Sequence, residues 1–401
     1  MENRFTLSEW SGAVGDLGTT LPIAFALVQA SGFSPARLFL CWGLVYVATG
    51  AYYRVPVSVQ PLKAMAVIAI TTGLSASLLS TTAVFYGLLL LVLMGTGLIR
   101  GLSEWFSPGI VQGVQLGIGF LLAEKALGLI GDHSVYLGSP VGSTTTVVVL
   151  TIGVLGLVAL GLHYRYPVAL VCIVGGLLGA LALGVTGPAP SSSDALVNLS
   201  LPDWTQFGNV LTLLIIPQLP LTLGNAVYAA SDICDRFWPD RSARTTPARL
   251  AASIGGSNVL IGLLGGFPIC HGAGGIAAHE RLGGRTGGTT ILLGSALLLL
   301  ALLPGASRLL FLIPVPILGA LLLCDSWAMI AVLRESDDLP QGVVAGTVAV
   351  LGWATHHLTI AVGVGLVVER LVGWSAVRYQ LLRAQRVAAQ QTGGSLFTGG
   401  Q

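Results

Sequence analysis

Long stretches without charge are the feature that most constrains how this chain can fold. Charged residues make up 9% of its 401 residues, against about 25% in soluble globular proteins. A helix needs roughly 20 apolar residues to cross the hydrocarbon core of a bilayer, and each charge-free stretch is longer than that. The pattern predicts an all-α polytopic membrane protein and argues against a soluble enzyme or a nucleic-acid-binding protein. The charge-free stretches are 64–99, 166–193, 205–231, 286–307 and 339–368.

The apolar segments predict fourteen helices, two of which are too short to span a bilayer. The runs 88–93 and 297–303 are continuously apolar and do not alternate as outer-membrane barrel strands do. The predicted helices are 14–31, 37–53, 61–73 (short), 80–100, 108–130, 144–162, 167–186, 207–230, 248–265, 272–282 (short), 287–303, 309–331, 340–354 and 357–375.

The distribution of basic residues predicts that both termini lie in the cytoplasm. With that orientation, the cytoplasmic loops hold Arg54, Arg100, the group 236–249 with its four arginines, and Arg334. The opposite loop 187–203 contains no Lys or Arg. This asymmetry follows the positive-inside rule, and a plasma or inner membrane is the expected location.

The chain contains an internal repeat at an offset of 212 residues. The pentapeptide at 34–38 (SPARL) recurs at 246–250 as TPARL, and the same offset relates Gly43, Gly50 and Pro56 to Gly255, Gly262 and Pro268. Seven helices in each half mean that the second copy is inserted upside down. We therefore predict two inverted repeats, residues 1–190 and 204–375, as in many secondary transporters.

In both halves the repeat leads into a short element broken by proline or glycine. The first break is 55–63 (VPVSVQPLK) and the second is 267–275 (FPICHGAGG). Pro61 suits a first helical turn, and the glycines allow close backbone approach. Two half-helices that begin near the membrane midplane would direct their N-terminal N–H groups at one point, which predicts an anion site.

Lys63 is the strongest candidate for direct contact with an anion. A charged side chain within a span costs at least about 2.5 kcal/mol on insertion scales and is a functional candidate by default. A lysine paired with a buried carboxylate for structural reasons is the alternative. Gln60 and His271 can donate hydrogen bonds at the same level, although a histidine in such a place is also often a packed, satisfied core residue.

Two other polar segments could face the site. Gly15–Thr20 contains Asp16, Gly18 and Thr19. Asp16 could be a proton carrier, but a helix N-cap is the role that base rates favour. The corresponding helix of the second half carries Gln218 and Asn225. The five cysteines have no CxxC or metal-ligand spacing, so neither a metal nor a cofactor is expected.

At these motifs the chain resembles the molybdate transporter family, a branch of the sulfate permease superfamily. Family members usually have Met where Leu62 stands and Thr where Gly224 stands, and neither difference removes a charge or a donor. The stretches that carry the resemblance are Gly15–Thr19, Pro56–Lys63, Pro108–Gly117, Pro217–Asn225 and Pro268–Gly275.

The resemblance implies the seven-plus-seven fold of sulfate and uracil permeases. A core domain (predicted helices 1–4 and 8–11) would carry the ligand, and a gate domain (helices 5–7 and 12–14) would support it. Sulfate permeases generally add a soluble regulatory domain. Here the tail 376–401 is too short for one, and its composition predicts disorder.

The mechanism that follows is alternating access with a tetrahedral dianion, molybdate, bound between the half-helices. Backbone N–H groups near Leu62 and at 272–275 would contact its oxygens. Proton symport is the simplest driving force, with Asp16 or His271 as the coupling group. The predicted substrate-binding set is Asp16, Gly18, Thr19, Gln60, Lys63, Gln218, Asn225, Cys270, His271, Gly272, Gly274 and Gly275.

Several alternatives stay open from the sequence. Sulfate or another oxyanion would fit the same site, because these ions share charge and shape. A nucleobase permease is less favoured, because a neutral heterocycle does not require Lys63. A channel would not explain the broken repeat. No nucleophile, metal cluster or phosphate loop in the sequence indicates an enzyme. The oligomeric state is undetermined, with a homodimer as one alternative.

Overall fold

The chain is almost entirely helical in the computed structural model, which describes residues 2–131, 134–137, 143–164, 167–186, 195–199, 201–331 and 339–372. Two strands, β1 (Gln60–Pro61) and β2 (Ile269–Cys270), interrupt the helices. The helices are α1 (Leu7–Ser31), α2 (Pro35–Tyr53), α3 (Lys63–Thr72), α4 (Ala76–Gly95), α5 (Leu98–Trp105), α6 (Pro108–Gly131), α7 (Thr144–Tyr164), α8 (Val168–Ala182), α9 (Trp204–Phe237), α10 (Pro247–Leu263), α11 (Ala273–Arg281), α12 (Gly288–Leu302), α13 (Val315–Ala331), α14 (Leu339–Thr355) and α15 (358–372).

The predicted helices are present, and the largest differences lie at their ends. The prediction placed the start of the first helix at residue 14, but α1 begins at Leu7. The reason is Glu9, a buried carboxylate that accepts hydrogen bonds from the backbone N–H groups of Arg285 and Thr286. A polar N-terminal segment can therefore be helical, because the loop before α12 satisfies its charge.

Two further predicted helices are divided in the structure. The segment predicted as 80–100 is α4 followed by the short helix α5, with a turn at Thr96 and Gly97. The segment predicted as 309–331 begins as a 3₁₀ helix, Ala306–Leu312, and continues as α13. Pro314 lies between the two parts, and proline disfavours helix continuation through the residue before it.

By length and composition alone, four of the described helices could cross a membrane, and α12 with the following 3₁₀ helix would be a fifth span bent by 99°. The four are α1, α4, α6 and α9. Large apolar side chains such as Ile152, Val171 and Leu178 are exposed on α7 and α8. Exposed apolar faces of this extent are unusual for a soluble monomer and are expected for helices that contact lipid.

Glycines related by the repeat make equivalent helix crossings. A Cβ atom on Gly43 of α2 would lie 2.9 Å from the Gly294 carbonyl oxygen of α12. A Cβ atom on its repeat equivalent, Gly255 of α10, would lie 3.0 Å from the Gly87 carbonyl oxygen of α4. Glycine thus allows α2 to approach α12 as closely as α10 approaches α4. This agrees with a repeat, although its inverted orientation stays a prediction.

Some sequence-based predictions concern residues outside the described part of the chain. They are the disordered tail 376–401, Arg334, and most of the loop 187–203.

Candidate functional site

The two predicted breaks meet in an antiparallel pair of strands. Gln60 lies opposite Cys270 and Pro61 opposite Ile269. The Leu62 N–H donates to the Pro268 carbonyl, 3.1 Å away, and the Ser58 hydroxyl donates to the Gly272 carbonyl at 2.8 Å. The half-helices α3 and α11 begin just beyond this pairing, so their N-termini are held close together.

A cavity of about 490 Å³ lies beside the paired breaks. Its lining combines polar residues with apolar residues from α7, α8 and α13. The lining residues are Val14, Gly15, Asp16, Gly18, Thr19, Gln60, Lys63, Gln115, Val158, Pro167, Val168, Ala169, Asn225, Gly274, Ala278, Arg281, Leu282, Leu321, Cys324, Asp325, Ala328 and Met329.

Lys63 faces this cavity from the first residue of α3. Its Nζ lies 2.9 Å from Oδ1 of Asp325 on α13, and the two side chains are 21% and 10% exposed. The Thr19 hydroxyl donates to the same carboxylate oxygen at 3.1 Å. The lysine therefore has the carboxylate partner that the structural alternative predicted, but the pair borders a cavity rather than lying within a packed core.

Asp16 lies on the wall of the same cavity and is 1% exposed. Its Oδ2 accepts a hydrogen bond from the Tyr46 hydroxyl at 2.6 Å, and its Oδ1 accepts one from the Gln60 side-chain amide. Asp16 ends a 3₁₀ turn and stands at the N-cap position of the α-helical segment 17–31, but its side chain makes no capping hydrogen bond. These bonds hold its carboxylate in place beside the cavity.

Gln218 contacts the site indirectly. Its Oε1 accepts hydrogen bonds from the Ala64 and Met65 N–H groups at 3.0 and 3.3 Å, and its Nε2 donates to the Thr222 hydroxyl at 3.1 Å. A glutamine from α9 therefore satisfies two of the free N–H groups in the first turn of α3. The expectation that N–H groups around Leu62 contact the substrate stays a prediction for the Lys63 N–H group, because the Pro268 carbonyl accepts from Leu62 and Gln218 accepts from Ala64 and Met65.

The second break turns its histidine away from the cavity. His271 is fully buried; its Nδ1 lies 2.8 Å from the Ser58 carbonyl oxygen and its Nε2 lies 2.7 Å from the Ser253 hydroxyl. Its ring also makes an edge contact with Tyr53. Both ring nitrogens thus have protein partners, as in a satisfied core histidine.

The glycines of the second break differ in their surroundings. A Cβ on Gly272 would collide with the Gln60 amide oxygen, and one on Gly275 would lie 2.6 Å from the Ser58 Cβ. A Cβ on Gly274 would have no heavy atom within 4 Å among the described residues. Two of these glycines therefore allow the breaks to pack together, and Gly274 borders the cavity.

The structure brings seven of the twelve predicted site residues to the cavity lining: Asp16, Gly18, Thr19, Gln60, Lys63, Asn225 and Gly274. It places the other five among the residues that support the breaks rather than in the lining: Gln218, Cys270, His271, Gly272 and Gly275.

Sequence reasoning missed three polar residues of the lining, which are Gln115, Arg281 and Asp325. Asp325 carried a usable signal, because it is a charged residue within the predicted helix 309–331, as Lys63 is within its own segment. Arg281 lies within the predicted short helix 272–282; it is the last residue of α11 and lines the cavity.

Comparison with protein families agrees with the resemblance to molybdate transporters. A family model described as "Molybdate transporter of MFS superfamily" matches residues 8–122 and 211–329, which together are more than half of the chain. The two matched segments contain both breaks and Asp325.

Curated relatives carry matching names. "Molybdate transporter 2" of Arabidopsis thaliana is 26% identical over 91% of this chain and 87% of its own length. "Molybdate transporter 1" of the same plant is 29% identical over 80% and 78%, respectively. "Molybdate transporter 1" of Chlamydomonas reinhardtii is 28% identical over 84% and 86%.

Solved structures share the fold at low sequence identity. The transmembrane domain of the cyanobacterial bicarbonate transporter BicA matches with a TM-score of 0.64 and 18% identity, over 92% of this chain and 98% of that domain. The murine anion transporter Slc26a9 in its inward-facing state matches with a TM-score of 0.65 and 13% identity, over 95% and 69%. The expected sulfate-permease-like fold is confirmed.

Proposed function

The chain belongs to the molybdate transporter family and is a multi-pass membrane transporter of oxyanions rather than an enzyme, and from this premise we propose that its substrate is molybdate. The observation that carries the proposal is Lys63, a cation at the start of a half-helix that faces the cavity. Ionised donors form the stronger hydrogen bonds to anions. Relatives named as molybdate transporters favour molybdate as the proposed substrate over other oxyanions of the same shape.

The cavity offers further donors around Lys63. The Thr19 hydroxyl, the Asn225 amide and the Gln115 amide line it from α1, α9 and α6. A tetrahedral oxyanion has acceptors in four directions, and donors on separate elements can surround it. Lys63 would contact one oxygen, and neutral donors would contact the others.

The location of the cavity fits alternating access. One wall comes from the predicted core domain, through α1, α3, α9 and α11, and the other from the predicted gate domain, through α6, α7, α8 and α13. A displacement of one domain against the other would move the site between the two sides of the membrane, as in transporters with inverted repeats.

The proposed orientation places both termini in the cytoplasm. The cavity extends to Pro167 and Arg281. The neighbouring basic residues Arg165 and Arg285 are expected on the cytoplasmic side by the positive-inside rule, so this conformation would face inward. Membrane-impermeant labelling of single cysteines at Ala243 and Leu201, both exposed, in sealed cells, tests the orientation, because only Leu201→Cys should react. Cross-linking in native membranes tests a homodimer.

Proton coupling is the proposed source of energy. An inside-negative potential opposes the entry of a dianion by about 2.3 kcal/mol per charge per 100 mV. Asp16 is a buried carboxylate on the cavity wall and stays a candidate for the coupling group. An imposed pH gradient should drive molybdate accumulation in proteoliposomes, and equal uptake with and without the gradient would contradict proton coupling.

The direct test of the substrate is equilibrium binding of molybdate, tungstate and sulfate to the purified protein. Lys63→Ala should weaken molybdate binding about 10- to 100-fold, since a hydrogen bond to a charged group contributes about 1.5–3 kcal/mol. Because this change leaves Asp325 without its cation, the matched variant Lys63→Ala/Asp325→Asn is measured alongside it. Wild-type affinity in both variants would contradict the proposal.

Sulfate is the second candidate, because it has the same charge and geometry and the cavity volume does not distinguish the two ions. Competition decides between them. Displacement of bound molybdate by sulfate at equal concentration would make the protein a general oxyanion transporter.

A further inference from the structure

Asp325 connects the two predicted domains through the proposed substrate ligand. It lies on α13, in the predicted gate domain, whereas Lys63 and Thr19 lie on α3 and α1 of the core. Both of these residues bond the same atom, Oδ1, at 2.9 and 3.1 Å. The Asp325 carboxylate therefore binds the Lys63 ammonium, the group that is proposed to bind the oxyanion.

The second oxygen of the same carboxylate is unusual. Oδ2 of Asp325 is buried and has no hydrogen-bond partner within the described part of the chain. Buried polar atoms nearly always have partners, and an unsatisfied charged oxygen is costly. Protonation of Asp325 at Oδ2 would reduce the cost of this buried charge. It becomes favourable when Lys63 no longer pairs with Oδ1.

We propose that Asp325 competes with the oxyanion for Lys63 and binds one proton at Oδ2 when the oxyanion displaces it. The inference rests on the proposed function, because it takes Lys63 as the oxyanion's ligand. A buried carboxylate that loses its counter-ion and gains an anionic neighbour favours the neutral form. Binding of the dianion thereby takes up one proton, and no other bond forms or breaks in the protein.

The cycle then accounts for every atom and moves a net charge of −1 per turnover, one dianion with one proton. The oxyanion and the proton enter the cavity from the same aqueous phase. When the site opens to the other side and the oxyanion leaves, Lys63 again pairs with Asp325, which releases the proton to that side. The empty carrier returns with the ion pair intact, so proton movement without substrate is suppressed.

The other ionisable groups around this pair are few. Asp16 on α1 and Arg281 on α11 line the same cavity. The α6 helix contributes Gln115, while its charged residues, Glu124 and Lys125, are not in the lining. On α13 itself Cys324 adjoins the pair, and α8 carries the buried Cys172. Among the described side chains, α7 contributes the apolar Val158 to the cavity.

The test is proton uptake on molybdate binding, measured with a pH-indicator dye in weakly buffered solution with purified, monodisperse protein. Wild type should take up close to one proton per bound dianion, and its affinity should fall up to about tenfold per pH unit as the solution becomes more alkaline. Asp325→Asn should bind molybdate at least as tightly as wild type at the alkaline end, with no proton uptake and no dependence on pH.

Glu124→Gln is the matched control. Glu124 accepts a hydrogen bond from Trp353 on an exposed surface, and its variant should keep the proton uptake of wild type. In proteoliposomes, Asp325→Asn should retain exchange of internal for external molybdate but lose accumulation driven by a pH gradient.

The outcomes separate this inference from the proposed function. Wild-type protein that binds no oxyanion would overturn the proposed function itself. Molybdate binding by wild type without proton uptake would overturn the role of Asp325 even if Asp325→Asn fails to fold. Undiminished proton uptake in a folded Asp325→Asn, or loss of its molybdate binding, would overturn it as well.

Discussion

The two breaks of this protein have related positions in the repeat and pair with each other, yet their chemistry differs. The first break directs Gln60 and Lys63 to the cavity, where the lysine meets Asp325. The second directs His271 into the core between Ser58 and Ser253 and gives only Gly274 to the cavity lining. A repeated backbone thus supplies charge from one copy and close packing from the other.

This difference would explain how a nearly uncharged membrane protein holds the proposed anion site. The glycines of the second break let the first break approach it closely, and Gln218 fixes the N-terminus of α3. Neutral, hydrogen-bonded neighbours therefore hold the first turn of α3, and the Asp325 carboxylate pairs with the Lys63 ammonium. Because the second break provides packing and the first provides the charge, we expect variants of the second break to affect stability and variants of the first to affect binding.

The largest effect on stability is expected for Gly275→Ala. The added Cβ would lie 2.6 Å from the Ser58 Cβ, an atom that the backbone fixes, and overpacking of a tight site costs about 1–3 kcal/mol. Gly274→Ala is the matched control, since its Cβ would meet no heavy atom within 4 Å among the described residues. Thermal stability in detergent should fall for Gly275→Ala alone. Equal stability of the two variants would contradict the packing described here.

His271→Ala should be next in size and should separate stability from binding. The change removes the partner of the Ser58 carbonyl, and an unsatisfied buried group costs about 1–3 kcal/mol. The Ser253 hydroxyl keeps its hydrogen bonds to Tyr53 and Leu250. Molybdate affinity of the folded fraction should stay near that of wild type. A loss of affinity as large as that of Lys63→Ala would place His271 among the substrate ligands.

Gln218→Ala should have the smallest effect of the three. It leaves the N–H groups of Ala64 and Met65 without their side-chain acceptor, and loss of a helix cap costs about 0.5–2 kcal/mol. Because α3 carries Lys63, a modest loss of affinity should accompany the loss of stability. Gln112→Ala on α6, where the replaced side chain is absent from the cavity lining, provides a comparison of the same residue type.

Much of the fold followed from patterns that are local in sequence. Charge-free stretches located the helices, and the offset of 212 residues located both breaks and the glycine crossings. The start of α1 could not be predicted from such local patterns. The buried Glu9 carboxylate is stabilised by hydrogen bonds from the N–H groups of Arg285 and Thr286, which are distant in the sequence. Such a partner cannot be identified from the residues near Glu9.

The candidate site was only partly predictable, because contacts between residues far apart in the sequence form it. Lys63 stood out as a lone charge within an apolar element, and Asp325 had that property too, but only the fold shows that the two meet. The orientation of His271 depended on its bonds to Ser58 and Ser253, which are set by strand pairing and by the packing of α10. Capping of α3 by Gln218 joins residues more than 150 positions apart.

The most direct test of the central role of Lys63 is the location of bound molybdenum. Anomalous diffraction at the molybdenum absorption edge, from crystals grown with molybdate, reports the metal without relying on affinity. The account predicts a peak within the cavity, with an oxyanion oxygen at hydrogen-bond distance from Lys63 Nζ and the Asp325 carboxylate displaced from that nitrogen. A peak outside the cavity, or one beside an intact Lys63–Asp325 pair, would contradict it.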